Sequence, residues 1–297
     1  MTDLASALAD VSPAVWGILS ALAFGTADFL ARFTSRKIGH FPALFIVLVL
    51  GASVFVPLLL LQNSREWSAH GLIYVGLHGV LLAGAMALLY LVLARGPINV
   101  VAPIIAAHPA FIILIAFVSG SRPSAMQWLL MLAILVCIGV ITRIVTNRAN
   151  ESAIHNSSEY FRRTLWLSLA TSIVYALNVV AAQRAVVING EIATVAIGHC
   201  FAIGALLFVR EIRYAYASIP FKWWGVLLFQ GVLNAAGMLF LFAGSFGLFP
   251  EVTALLSSEF SVVTILLAAI FLRERMTVLQ LLAVVGVFTA TGYLSLI

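Results

Sequence analysis

Long apolar runs recur along the chain, each closed by a short burst of charge, Pro, Gly or Asn. They fall at about 13–34, 41–62, 71–94, 98–118, 125–145, 163–185, 192–210, 222–246, 249–271 and 276–296. A helix needs about 20 mostly apolar residues to cross the roughly 30 Å hydrocarbon layer of a bilayer. The pattern therefore predicts ten transmembrane helices. It lacks the strict alternation of outer-membrane barrel strands. Runs such as 43–61 and 262–272 can satisfy their backbone in lipid only as helices. The first run does not read as a cleaved signal peptide, because its leader carries Asp3 and Asp10 without Lys or Arg and the run itself contains Asp28.

Composition narrows the class further. Of 297 residues, 63% are hydrophobic and 9% charged, against about 25% charged in soluble chains. Sixteen basic and 11 acidic side chains cannot clothe a protein of this size in water. The net charge of +5 is better read as Arg and Lys anchoring cytoplasmic loops than as a nucleic-acid footprint. Cys137 and Cys200 both sit inside apolar runs, so no disulfide framework is expected. Phosphate-loop, zinc-protease, nucleophile-elbow, C-x-x-C and dinucleotide-binding signatures are all missing from the sequence. Neither an enzyme nor a cofactor is expected.

The chain also resembles itself. Slid by about 150 residues, Trp16 meets Trp166 and Asp28 meets Asn178; with a small indel His108 meets Glu259, Gln127 meets Gln280 and Gly139 meets Gly292. Two five-helix repeats, 13–145 and 162–297, are expected around a polar linker at 146–161. Charge supports this independently. The odd-numbered loops collect Arg32, Arg36, Lys37, Arg95, Arg143, Arg148, Arg162, Arg163, Arg210, Arg213, Lys222, Arg273 and Arg275, and the even-numbered ones Arg65, Arg122 and Arg184, a ratio of 13 to 3. The positive-inside rule then sets both termini on the non-cytoplasmic face of an inner membrane. The bias reverses between equivalent loops of the two halves, as an odd number of spans per repeat requires. This is the inverted repeat of many secondary transporters.

Ionisable groups at membrane depth cost about 2.5–3.5 kcal/mol or more, so each calls for a reason. Asp28 either pairs with Arg32 one turn on or contacts and gates a substrate amine, with Asn178 as its counterpart. Glu259 stands mid-span without a basic neighbour and is the best single proton-carrier candidate. It lies on a different face of its helix from the hydroxyl stripe Ser257, Ser261 and Thr264. His108, just before Pro109, is the second proton candidate. Tyr175 and Asn178 share one helix face, as do Gln230 and Asn234; such stripes either glue helices together or line a wet path. His78 completes the candidates for substrate binding or gating.

The second half reads Leu255-Leu256-Ser257-Ser258-Glu259 and then Phe271-Leu272-Arg273-Glu274-Arg275-Met276-Thr277-Val278-Leu279-Gln280, followed by Gly286. This resembles the EamA-type repeat of the drug/metabolite transporter superfamily, with its L-x-E-R-x-T-x-x-Q turn before a Gly-containing fifth helix. Pro109, Gln127 and Gly139 match the same pattern in the first half. There are departures: Phe260 replaces the proline after Glu259, and the first-half turn Ser121-Arg122-Pro123-Ser124 lacks the glutamate. Relatives described with cytoplasmic termini differ from the charge tally. The resemblance implies export or exchange of small metabolites through a central cavity near Asp28, His78, His108, Asn178, Asn234 and Glu259.

The expected protein is an all-α integral membrane protein of ten helices in two inverted five-helix repeats. It would be a secondary active exporter or exchanger of small metabolites, such as amino acids or amphipathic cations, working by alternating access. The bilayer and a small-molecule substrate are its expected partners; a proton and a second copy of the chain, as a homodimer, are further candidates. A facilitative carrier of sugar phosphates, nucleotide sugars or lipid-linked sugars ranks second, since such cargo wants convergent cations at depth and the bases here crowd the rims. A membrane-embedded enzyme is the remote alternative.

Overall fold

Proline, glycine and serine set the first helix ends. In the computed structural model, which describes residues 11–62, 68–120, 122–151, 155–215, 219–245, 250–274 and 276–294, α1 (Pro13–Ile38) opens on a proline. The missing N–H of Pro13 belongs to a first turn that has no intrahelical partner anyway. The helix stops at Gly39, whose φ of 95° favours glycine, and α2 (His40–Leu60) follows at once. Ser68 caps α3 (Ala69–Arg95), its hydroxyl accepting the Gly71 N–H at 3.0 Å. The chain continues through α4 (Ile98–Ala106), α5 (His108–Val118), α6 (Ala125–Glu151), α7 (His155–Asn189) and α8 (Glu191–Leu206). It ends through α9 (Arg210–Ala215), α10 (Phe221–Ser245), α11 (Pro250–Ser258), α12 (Phe260–Phe271) and α13 (Val278–Leu294). No strand occurs among the described residues.

Eight segments are long and apolar enough to cross a bilayer: α1, α2, α3, α4 with α5, α6, α7, α10, and α11 with α12. The remaining two of the ten apolar runs form α8 and α13, helices of 16 and 17 residues, about 24–26 Å long at the usual rise. The polar segment 146–161, read as a linker, carries the end of α6 and the start of α7. It contains neither Gly nor Pro, nothing in it stops a helix, and α6 runs on to Glu151 before α7 starts at His155. Residues 152–154 and the side chains of 145–158 lie outside the described residues, as does Arg65.

Two helices are broken in the middle. Pro109 cannot donate a backbone hydrogen bond and its ring clashes one turn back, so α4 ends and α5 begins around Ala107. The carbonyl of Ile105 accepts instead from His108 Nδ1 at 3.2 Å and from Ser172 Oγ on α7 at 3.4 Å. The α11–α12 break at Glu259 has no proline. Its hydrogen bonding is nonetheless the same, with Val262 N–H donating to the Glu259 carbonyl at 2.9 Å and Ala110 N–H to that of Ala107 at 3.0 Å.

Small residues govern how the helices meet. The hydrophobic effect does not join helices in lipid, so close backbone approach and interhelical hydrogen bonds must. Along α1, Gly17 lies on Thr253 and Leu256, and Gly25 on Phe260 and Val263. Ser20 Oγ donates to the Gly237 carbonyl at 2.8 Å and shares a 2.7 Å hydrogen bond with Ser257, while Thr264 Oγ1 donates to the Gly25 carbonyl at 3.0 Å. The hydroxyl stripe of α11 and α12 therefore faces α1. The contacts also set directions. Ser20 sits by Gly237 and Thr34 by Gln230, so α1 and α10 run antiparallel. Gly71 meets Asn189 and Gly96 meets Thr164, so α3 and α7 do too. On the outside, Leu129, Val136, Leu282 and Val278 are 61–76% exposed; apolar surface on that scale suits lipid and would aggregate in water.

Candidate functional site

Asp28 lies on the buried face of α1, 8% exposed, and has no hydrogen-bond or ion-pair partner among the described residues. Its carboxyl acts electrostatically on Tyr90 of α3 and Tyr175 of α7. The tyrosines differ in what holds them. The Tyr90 hydroxyl accepts from Gln230 Nε2 at 2.8 Å, and Gln230 Oε1 accepts from Thr34 Oγ1 at 3.0 Å. That chain ties α1, α3 and α10 together and buries Gln230 completely. Tyr175 is half-buried, and its ring stands edge-on to His108 at 4.9 Å between centroids.

The belt continues along α3 and α7. His78 packs beside Asn178 and over Gly198 of α8. Both polar side chains are over nine-tenths buried, and Asn178 Oδ1 and His78 Nδ1 are without hydrogen-bond partners. Burying a polar group unsatisfied costs about 1–3 kcal/mol. His78 and Asn178 also hydrogen-bond each other, so the unsatisfied atoms of that pair are His78 Nδ1 and Asn178 Oδ1, and with Asp28 they set buried polar groups on three packed helices. Asn234, half-buried on α10, completes the residues singled out from the sequence.

Glu259 is held differently. It stands at the break between α11 and α12 with Oε1 buried and unpartnered, against Gly292 of α13: a Cβ there would lie 3.4 Å from Oε1. His108 turns to Tyr175 and Glu259 to α13, so the two proton candidates share position at a helix break rather than a contact. The local Asp28–Arg32 pair considered from the sequence does not form. Arg32 instead reaches Glu274, Nη1 to Oε1 at 3.2 Å, and donates to the Gly96 carbonyl at 2.6 Å. Glu274 in turn accepts the N–H groups of Ile98 and Asn99 at 3.2 and 3.0 Å, which caps the start of α4. Tyr90 and Glu274 are the residues sequence reasoning underrated. One reads as ring packing and the other as a turn motif, and the E-R-x-T string was the available signal for Glu274.

A groove of about 630 Å³ beside α3 and α8 is lined by Val80, Cys200, Phe201, Gly204, Ala205 and Phe208, and includes none of the belt residues. No cluster of His, Cys, Asp and Glu suited to a metal ion occurs among the described residues.

Residues 11–143 match the model of the EamA-like transporter family. A crystal structure of another protein aligns over 94% of this chain and 94% of its own, with a TM-score of 0.60 at 17% identity, a likeness of fold. No curated protein matches the chain.

Proposed function

We propose, from the place that residues 11–143 give this multi-pass membrane protein in the EamA-like transporter family, that it is a secondary active exporter or exchanger of small metabolites. It works by alternating access of two inverted five-helix halves. The observation that carries the reading is the belt of buried polar groups, Asp28, His78 and Asn178, between α1, α3 and α7, with His78 Nδ1 and Asn178 Oδ1 left without hydrogen bonds. Ionisable groups kept unpaired at membrane depth ordinarily mark a transport path. A lone carboxylate beside two tyrosines suits a substrate amine, as in an amino acid or an amphipathic cation.

Backbone geometry supports the repeat. The four described residues with positive φ fall into two pairs, Gly39 with Gly190, 151 residues apart, and Gly120 with Arg273, 153 apart. Between them lie the helix breaks at Ala107 and Glu259, 152 apart. Breaks at corresponding places in two halves are the usual pointer to a transporter's central site. This register sets Ala107, rather than His108, against Glu259. The first helices of the two halves, α1 and α7, lie on α10 and α3 in reciprocal fashion, and α6 lies on α13.

Counterflow in proteoliposomes, with a panel of labelled amino acids and a quaternary ammonium dye, tests the reading. Asp28→Asn should abolish uptake of whichever compound the parent carries; undiminished uptake would overturn the role of the belt. Glu259 is proposed to carry the coupled proton. Glu259→Gln should flatten the pH dependence of flux, and an unchanged profile removes Glu259 from that role.

A further inference from the structure

We propose that one anionic phospholipid is held on the outside of the fold, with an acyl chain in the groove between α3 and α8 and its phosphate at Arg36 and Arg95. The groove shares no residue with the buried polar belt, so this lipid site stands or falls independently of the transport reading.

The groove is apolar and close to one leaflet tall. α3 runs antiparallel to α7, and the chain turns at Gly190 from α7 into α8, so α3 and α8 run toward the same face. Val80 stands near the middle of α3, and Phe208 just past the end of α8. From Cys200 to Phe208 the wall rises about 12 Å, near half of a roughly 30 Å core. On α3, Val80, Ala87, Leu91 and Ala94 share one helix face from mid-span to rim. A Cβ on Gly204 meets nothing within 4 Å, so the hollow is open there. Its walls offer a water no set of polar partners, and an unfilled hollow forfeits dispersion contacts. An acyl chain is the filler that a bilayer supplies.

The rim selects the charge of the lipid. Arg36 Nε donates to the Ala94 carbonyl at 2.6 Å, at the foot of that face of α3. The next residue, Arg95, lies over the Tyr160 ring at 4.8 Å, with Nε buried and without a hydrogen-bond partner. His40, at the start of α2, feels the charges of both Arg95 and Glu211, which brings the end of α3 and the start of α9 to one place below α8. Neither Arg36 nor Arg95 forms an ion pair among the described residues, while Glu274 is taken by Arg32 and Glu159 by Arg163. Glu211 is the nearby acid, and it is exposed. Arginine suits a phosphate because its fork of N–H donors matches the oxygens. Basic pockets between transmembrane helices commonly seat anionic head groups. A second copy of the chain would bring the same positive rim to this one, and that repulsion argues against a dimer contact here.

The test uses the delipidated full chain in neutral detergent, titrated with phosphatidylglycerol or phosphatidylcholine of matched chains and read by native mass spectrometry. The parent should retain one phosphatidylglycerol about twentyfold more tightly than phosphatidylcholine, as two basic groups at a membrane surface would give. Arg36→Gln and Arg95→Gln should each lower that preference about fivefold. Arg143→Gln removes the same charge from an exposed position on α6 and should leave it unchanged. Gly204→Phe puts a ring into open space and should weaken retention about tenfold, the loss of a few buried methylenes. Equal retention of the two lipids, a preference within twofold of the parent in the arginine variants, or an equal fall in Arg143→Gln would reduce the rim to diffuse surface charge and overturn the proposal. Displacement by glycerol phosphate would mark a soluble-anion site and overturn it too, as would undiminished binding in Gly204→Phe. A dimer that persists without lipid and is lost in Gly204→Phe would assign the groove to a second copy instead. Should Arg95→Gln or Gly204→Phe fail to fold, Arg36→Gln and Gly204→Leu are judged by the same readouts.

Discussion

A carboxyl group with nothing to hold it is costly inside a membrane, and the cost makes opposite predictions for two residues that look alike in sequence. Asp28 is buried without a partner, so Asp28→Asn removes a desolvation penalty and breaks no bond. Its apparent melting temperature in detergent should equal or exceed that of the parent while transport is lost; a clear fall in melting temperature would mean that the carboxyl is held after all. Gln230 is the converse. It donates to Tyr90 and accepts from Thr34, so Gln230→Leu strands a buried phenol and should destabilise the fold by about 1–3 kcal/mol, read as a lower melting temperature. Both residues were legible as polar groups in the wrong solvent, because that signal needs only depth. Which was satisfied was not legible, since the partners of Gln230 come from α1 and α3, far along the chain. Arg32 teaches the same lesson: its sequence neighbour Asp28 lies one turn away, yet its charge goes to Glu274.

At the scale of elements, the apolar runs mark helices well, and proline and glycine mark their ends. The break at Ala107 was implicit in Pro109. The equivalent break at Glu259 was not, because Phe260 occupies the position where the family pattern has proline and only the surrounding packing holds the helix open. The extension of α6 through a polar segment was also hidden, since polarity alone does not end a helix. Helix contacts make a sharper prediction. A Cβ on Gly17 would stand 2.7 Å from Leu256 Cβ and 2.9 Å from the Thr253 carbonyl oxygen, whereas one on Gly139 meets nothing within 4 Å. Gly17→Ala should force α1 from α11 at about 1–3 kcal/mol. Gly139→Ala should be neutral or stabilising by up to about 1 kcal/mol, through helix propensity alone. Paired melting curves check both, and equal curves would mean that the α1–α11 contact yields without cost.

For the whole molecule the open quantity is how many times the chain crosses the bilayer, and it turns on α8. Its 16 residues reach about 24 Å, short of a roughly 30 Å core. By length alone α8 could be a re-entrant stub, which would invert everything after it. Its contacts argue otherwise. His199 packs on Gly51, while Val195 and Ala196 share a cluster with Phe55, so α8 runs antiparallel along α2, a helix long and apolar enough to span. Small mismatches are absorbed by tilt or local thinning of the bilayer. Gly190, with φ at 77°, turns the chain directly from α7 into α8 as Gly39 turns it from α1 into α2. If α8 crosses, cysteines placed at Ile188 and Phe208, both solvent- or lipid-exposed in the fold, must label from opposite faces. Phe208 should share a face with Arg210, the face that the tally of 13 basic residues to 3 leads one to expect on the cytoplasmic side. Labelling of both positions from one face would leave an odd number of spans and remove the inverted relation between the halves.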